Sequence, residues 1–141
     1  MIRFATILMG LLASTVYAVA APAPSSNAVD PATVEALATT YTFGVTDEPL
    51  LGCIVKLKPM QKRSKGKSGR PVEINEQCRD RFPALSQVTR WEPTGGGSIK
   101  LLGGKPYQEL SDFSPVQDAT GVYLRGGFEG DKAIYELRPP Q

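Results

Sequence analysis

From residue 39 onward the apolar positions recur at every second residue, in short bursts punctuated by glycine. The segment "TYTFGV" sets Tyr41, Phe43 and Val45 on one face, and "GCIVKL" does the same for Cys53, Val55 and Leu57. Both carry the β-branched and aromatic content of half-buried strands. "PVEI", ending at Asn75, predicts a shorter strand, and "NEQCRDRFPAL" predicts a turn of helix stopped by Pro83. Four or five further strands follow in "SQVTRWEP", "SIKLLG", "PYQELS", "GVYLRGGFEG" and "AIYELRP". They are separated by Gly-Gly-Gly, by Gly-Gly, by a polar stretch around Asp118 and by Gly130-Asp131. Short strands joined by tight glycine turns at this spacing predict an antiparallel meander. With about eight strands, closing the meander into an up-and-down β-barrel removes both exposed edges. The expected class is therefore all-β, with an open sandwich as the alternative.

Ahead of the strands the pattern changes. "DPATVEALA" offers Asp30 as an N-cap, Pro31 at the first helical position, and Val34 and Leu37 one turn apart. A short N-terminal helix plugging one end of the barrel is expected. Residues 21–29, "APAPSSNAV", have no charge and little apolar bulk, and they predict an extended arm with polyproline character. Residues 1–20 combine Arg3, an apolar run from Phe4 to Val16, and Ala18 and Ala20 in an A-x-A arrangement. That is the pattern of a secretory signal peptide, and cleavage after Ala20 leaves a mature chain beginning Ala21-Pro22. A membrane anchor needs about 20 apolar residues, whereas this run is interrupted by Thr6, Gly10, Ser14 and Thr15. The domain plan is a signal peptide over 1–20, an arm over 21–29 and a barrel domain over 30–141.

Export changes the reading of the two cysteines. In an oxidising compartment Cys53 and Cys78 are expected to form one disulfide, which closes a loop around a local concentration of charge. From Lys56 to Arg70 there are seven basic residues and no acidic one, so a chain of net charge +2 is −5 elsewhere. Pro59, Ser64, Gly66, Ser68 and Gly69 interleave that run and no aromatic residue does. A solvated loop fits better than a nucleic-acid site, which adds stacking platforms to its positive groove. Docking on an anionic surface polymer is the alternative.

Catalytic chemistry finds little footing. The chain has no histidine, which excludes Ser-His-Asp and Cys-His catalysis and His-bearing zinc sites. Carboxylate pairs are available as Glu73 with Glu76 and Glu109 with Asp112, but neither sits in a motif, and both read as solvent-facing charge. No phosphate-binding, nucleophile-elbow or dinucleotide signature is present. Trp91, the only tryptophan, is expected to fill the core along with Tyr107, Tyr123 and Tyr135. The other reading makes them the lining of a lipocalin-like or avidin-like cup for a small ligand, since barrels of this size accommodate either. A binding protein is expected, without a cofactor or bound metal of its own.

From Ala36 onward the chain resembles the Inh family of bacterial periplasmic inhibitors of serralysin-type zinc metalloproteases. The matching pieces occur in order: "ALATTYTF", "GCIVKL", "EQCRDRFPAL", "VTRWEPTGGGSIKLL", "GGKPYQELS" and "YLRGGFEGDKAIYELRP". The chain departs from the family in carrying Tyr41 where a Trp is usual, a Pro-rich arm in place of a Ser-rich trunk, and a longer basic loop. The resemblance implies a periplasmic protein whose partner is a secreted zinc metalloprotease; a monomer is expected. It further implies that Ala21 turns its α-amine toward the protease zinc while Pro22, Ala23, Pro24, Ser25 and Ser26 fill the cleft.

Overall fold

A computed structural model describes residues 30–48, 52–61, 69–104 and 107–140. Eight antiparallel strands close into a barrel in sequence order: β1 (Thr40–Val45), β2 (Ile54–Leu57), β3 (Arg70–Ile74), β4 (Val88–Gly95), β5 (Ser98–Gly103), β6 (Gln108–Asp118), β7 (Gly121–Phe128) and β8 (Tyr135–Arg138). Closure is made by β1 and β8, paired from Thr42 with Arg138 to Val45 with Tyr135. The helix α1 (Pro31–Leu37) precedes the barrel. Between β3 and β4 lie α2 (Glu76–Arg81) and a 3-10 turn (Pro83–Gln87).

The barrel is a meander, so its connections alternate between two rims. One rim carries α1, the β2–β3 connection, the β4–β5 and β6–β7 turns, and the end of β8. The opposite rim carries α2, the 3-10 turn and the remaining connections. At the first rim Gly95, Gly96 and Gly97 take φ of 101°, 58° and 80° in succession, which glycine adopts without the Cβ penalty that other residues incur.

Alternation decides which side chains face inward, as expected from the period of two. Phe43, Val55, Leu57, Val88, Trp91, Ile99, Leu101, Phe113 and Leu137 are all buried in one cluster. Near the second rim Phe43 stacks on Tyr135 with centroids 5.1 Å apart, and Phe82 meets Phe43 edge-on at 5.1 Å. Near the first rim Trp91 is fully enclosed and donates its indole N–H to the carbonyl of Lys58 at 2.8 Å. The outer face is charged instead, with Lys56, Glu73, Glu92, Lys100, Glu109 and Asp112 on its strands. Membrane barrels have the reverse pattern, an apolar outer band around a polar interior.

Two expectations are corrected. The polar stretch around Asp118 is shorter as a connection than expected: β6 continues to Asp118, residues Ser111 to Asp118 all pair with β7, and Ala119 and Thr120 make the turn. Phe113 supplies an inward anchor, and Pro115 is tolerated because β6 outruns β5 there, whose last pair is Ile99 with Phe113. Pro93 in β4 follows the same rule, since β3 pairs no further along β4 than Trp91. A strand proline loses nothing where no neighbour needs its N–H. Tyr107 and Tyr123 are not interior residues either. Tyr123 is buried on the outer face, and Tyr107 lies half-buried with the Arg90 guanidinium 5.4 Å from its ring centre.

Candidate functional site

The segment Ala21–Ser26 lies outside the described residues, as do the whole of the expected signal peptide over 1–20 and of the expected arm over 21–29; the described residues begin at Asp30. Asp30 caps α1, its carboxylate accepting from the Ala32 N–H at 3.4 Å and from the Thr33 hydroxyl at 3.3 Å. Val34, Leu37 and Ala38 rest on the barrel core. Tyr41, the first inward residue of β1, donates its hydroxyl to the Leu37 carbonyl at 3.1 Å, and burial pushes its pKa up to about 12. The helix is short, but these contacts tie it to the rim, so the chain before Asp30 starts from a fixed point.

The β2–β3 connection begins and ends on the same rim. Of its basic run, residues 62–68 lie outside the described residues. The flanking cations are engaged: Lys56 is 3.6 Å from Glu73, Lys58 pairs with the same carboxylate, and Arg70 lies over the Trp91 ring at 5.4 Å. The bond from Lys58, aided by Lys56, holds the Glu73 carboxyl below its ordinary range. Glu109 likewise accepts from Lys100 at 2.6 Å. Of the two candidate carboxylate pairs, Glu73 and Glu109 thus neutralise lysines on the barrel wall.

Cys53 and Cys78 are joined as a disulfide on the rim opposite α1, with Cα atoms 4.7 Å apart. Asn75 supports the same corner by accepting from the Ile54 N–H and donating to the Gly52 carbonyl, each at 3.1 Å. Among the described residues no group of three or more Cys, Asp or Glu side chains is arranged to hold a metal ion.

Strand reasoning missed one polar constellation. On the outer wall Arg138 lies over the Tyr123 ring at 3.8 Å, and it bonds Asp118 at 2.9 Å, Glu136 at 2.8 Å and the Thr120 hydroxyl at 2.9 Å. Arg125 reaches the other oxygen of Glu136 at 3.2 Å. The signal was present in the alternation, which sends Tyr123 with Arg125 and Glu136 with Arg138 to one outward face. Burial opposes ionisation of Glu136, but the bonds from Arg138 and Arg125 outweigh it and lower its pKa. Asp118 falls from 3.8 to about 2, chiefly through the Thr120 hydroxyl and then Arg138.

Depressed carboxylates stabilise the fold above their unfolded pKa and lose that contribution as pH falls through the folded one. The thermal midpoint is expected to drop from pH 3.8 down to about 2, and Asp118→Asn should flatten that acid limb. An equally steep limb in the variant would show that this network does not govern acid stability. The constellation balances its own charges, so its arrangement suits wall stabilisation better than ligand capture.

No protein-family model, no curated protein and no solved structure matches this chain.

Proposed function

We propose that the chain is an exported, periplasmic inhibitor of a serralysin-type zinc metalloprotease, acting through the segment Ala21–Ser26. The observation that carries this reading is the tethering of α1. A closed barrel fixes the point from which residues 21–29 depart, so part of the ordering cost of binding is met in advance and more contact energy is left for affinity. The resemblance supports it element by element: "ALATTYTF" runs from α1 into β1, "EQCRDRFPAL" runs from α2 into the 3-10 turn, and "VTRWEPTGGGSIKLL" is the β4–β5 hairpin. In this reading the α-amine of Ala21, with an ordinary pKa of about 7.7, is partly neutral and offers its lone pair to the open position of the protease zinc. Pro22 and Pro24 stiffen the cleft-filling residues and resist cleavage.

The small-ligand alternative loses ground on the packing. The barrel axis is occupied by Trp91, Phe43, Phe113, Leu57 and Leu101, each at most 2% exposed, where a lipocalin-like cup would be open.

Deleting residues 21–26 from the exported protein should weaken inhibition of a serralysin-type protease at least tenfold, about 1.4 kcal/mol, with an unchanged thermal midpoint. Undiminished inhibition by the truncated chain would remove the arm from the mechanism. Sequencing the amino terminus of the exported protein should return Ala-Pro-Ala-Pro.

A further inference from the structure

A groove of about 320 Å³ opens on the α1 rim. One wall is the face of α1 made by Pro31, Val34, Glu35 and Ala38; the other is Pro59 and Met60, with Arg70 at the base of β3. That helix spacing is a single face. Met60 is 53% exposed, one of the few large apolar side chains so placed among the described residues. An apolar groove with an uncovered methionine invites an occupant, and the chain itself supplies one at the groove's edge.

Asp30 is the N-cap and Pro31, the next residue, lines the groove. The residue before the cap is Val29, and the fourth helical residue is Val34. These are the two positions that pack together in a hydrophobic staple, which sets the angle at which a chain enters its helix. Val29 is also the bulkiest apolar residue of the arm, whose others are Ala and Pro. We propose that Val29 occupies this groove, packed between Val34 and Met60, and acts as a positioning residue that fixes the direction in which the arm leaves the barrel. The eight residues from Ala21 to Ala28 then reach at most about 28 Å from that point.

The packing stands independently of the inhibitor reading, and its effect on inhibition rests on that reading. Methyl NMR on the mature chain starting at Ala21 is the test. Cross-relaxation is expected between the Val29 methyls and both the Met60 Cε methyl and the Val34 methyls. Val29→Ser should move the Met60 signal toward that of an exposed methionine and leave the Trp91 indole signal in place; Val29→Ile should keep the contact. A Met60 signal indifferent to Val29→Ser overturns the proposal. So does one that moves with protein concentration, which assigns the groove to a second copy, or one that moves only when protease is added, which assigns it to the partner. If the contact is present, Val29→Ser is expected to weaken inhibition about threefold through lost preorganisation. A present contact with inhibition unaffected by deleting residues 21–26 would defeat the inhibitor reading and leave the groove assignment standing.

Discussion

Trp91→Ala should lower the unfolding free energy by about 4 kcal/mol, within the range for truncating a fully buried aromatic side chain. Trp91 has no exposed surface and sits in the core cluster with Leu57, Ile99 and Leu101, so truncation leaves a void that the barrel wall cannot collapse to fill. Two further contacts go with it. The Lys58 carbonyl loses its indole donor, and the Arg70 guanidinium loses the ring beneath it. Urea unfolding followed by far-ultraviolet circular dichroism is the suitable measurement, because the variant has no tryptophan to report fluorescence. A loss below about 1 kcal/mol would mean that the site collapses after truncation, contrary to the close packing expected of a protein interior.

Replacing Cys53 and Cys78 together by serine is expected to cost roughly 3 kcal/mol, the chain-entropy value for a loop of this length. The sequence separation is 25 residues. Most of the effect falls on the unfolded chain, because the native corner is held by other bonds as well. Phe43 donates its N–H to the Cys53 carbonyl at 2.9 Å, and Asn75 bridges Gly52 and Ile54. The serine variant should therefore unfold earlier yet keep the same circular dichroism and, in the inhibitor reading, the same inhibition below its transition. Treating the wild type with a thiol reductant should reproduce the shift. If the reduced protein loses its fold at ambient temperature, the hydrogen-bonded corner is not self-sufficient.

The strands were legible wherever period-two burial coincided with β-branched or aromatic residues. "TYTFGV" and "SIKLLG" became β1 and β5 at those boundaries, and the disulfide was expected from the cysteine count together with the expected export. The second half of β6 was not legible because its local composition, with Ser114, Pro115 and Asp118, belongs to turns. What makes it a strand is eight consecutive pairings to β7, from Ser111 with Phe128 to Asp118 with Gly121, and cross-strand pairing is a non-local cause. The outward placement of Tyr123 was obscured for a similar reason. An aromatic in an alternating strand reads as core, and only the stacked Arg138 and nearby Arg125 show how its outer position is buried. The candidate arm was legible only as composition: nothing in Ala-Pro-Ala-Pro-Ser-Ser states what it touches, and the anchoring Tyr41–Leu37 bond, though it spans only four residues, depends on how α1 turns onto β1.

An even number of strands in an unbroken meander has a practical corollary for anyone handling this molecule. Polypeptide fused beyond Pro140 emerges on the α1 rim and, in the inhibitor reading, would crowd the docking partner, so a purification handle there is poorly sited for binding assays. The turn at Gly130 and Asp131, on the far side beside α2, is the better point for a fluorophore or a surface linkage. Because α1 and the end of β8 share one rim, a linker joining Pro140 to Asp30 would permit circular permutation of the barrel.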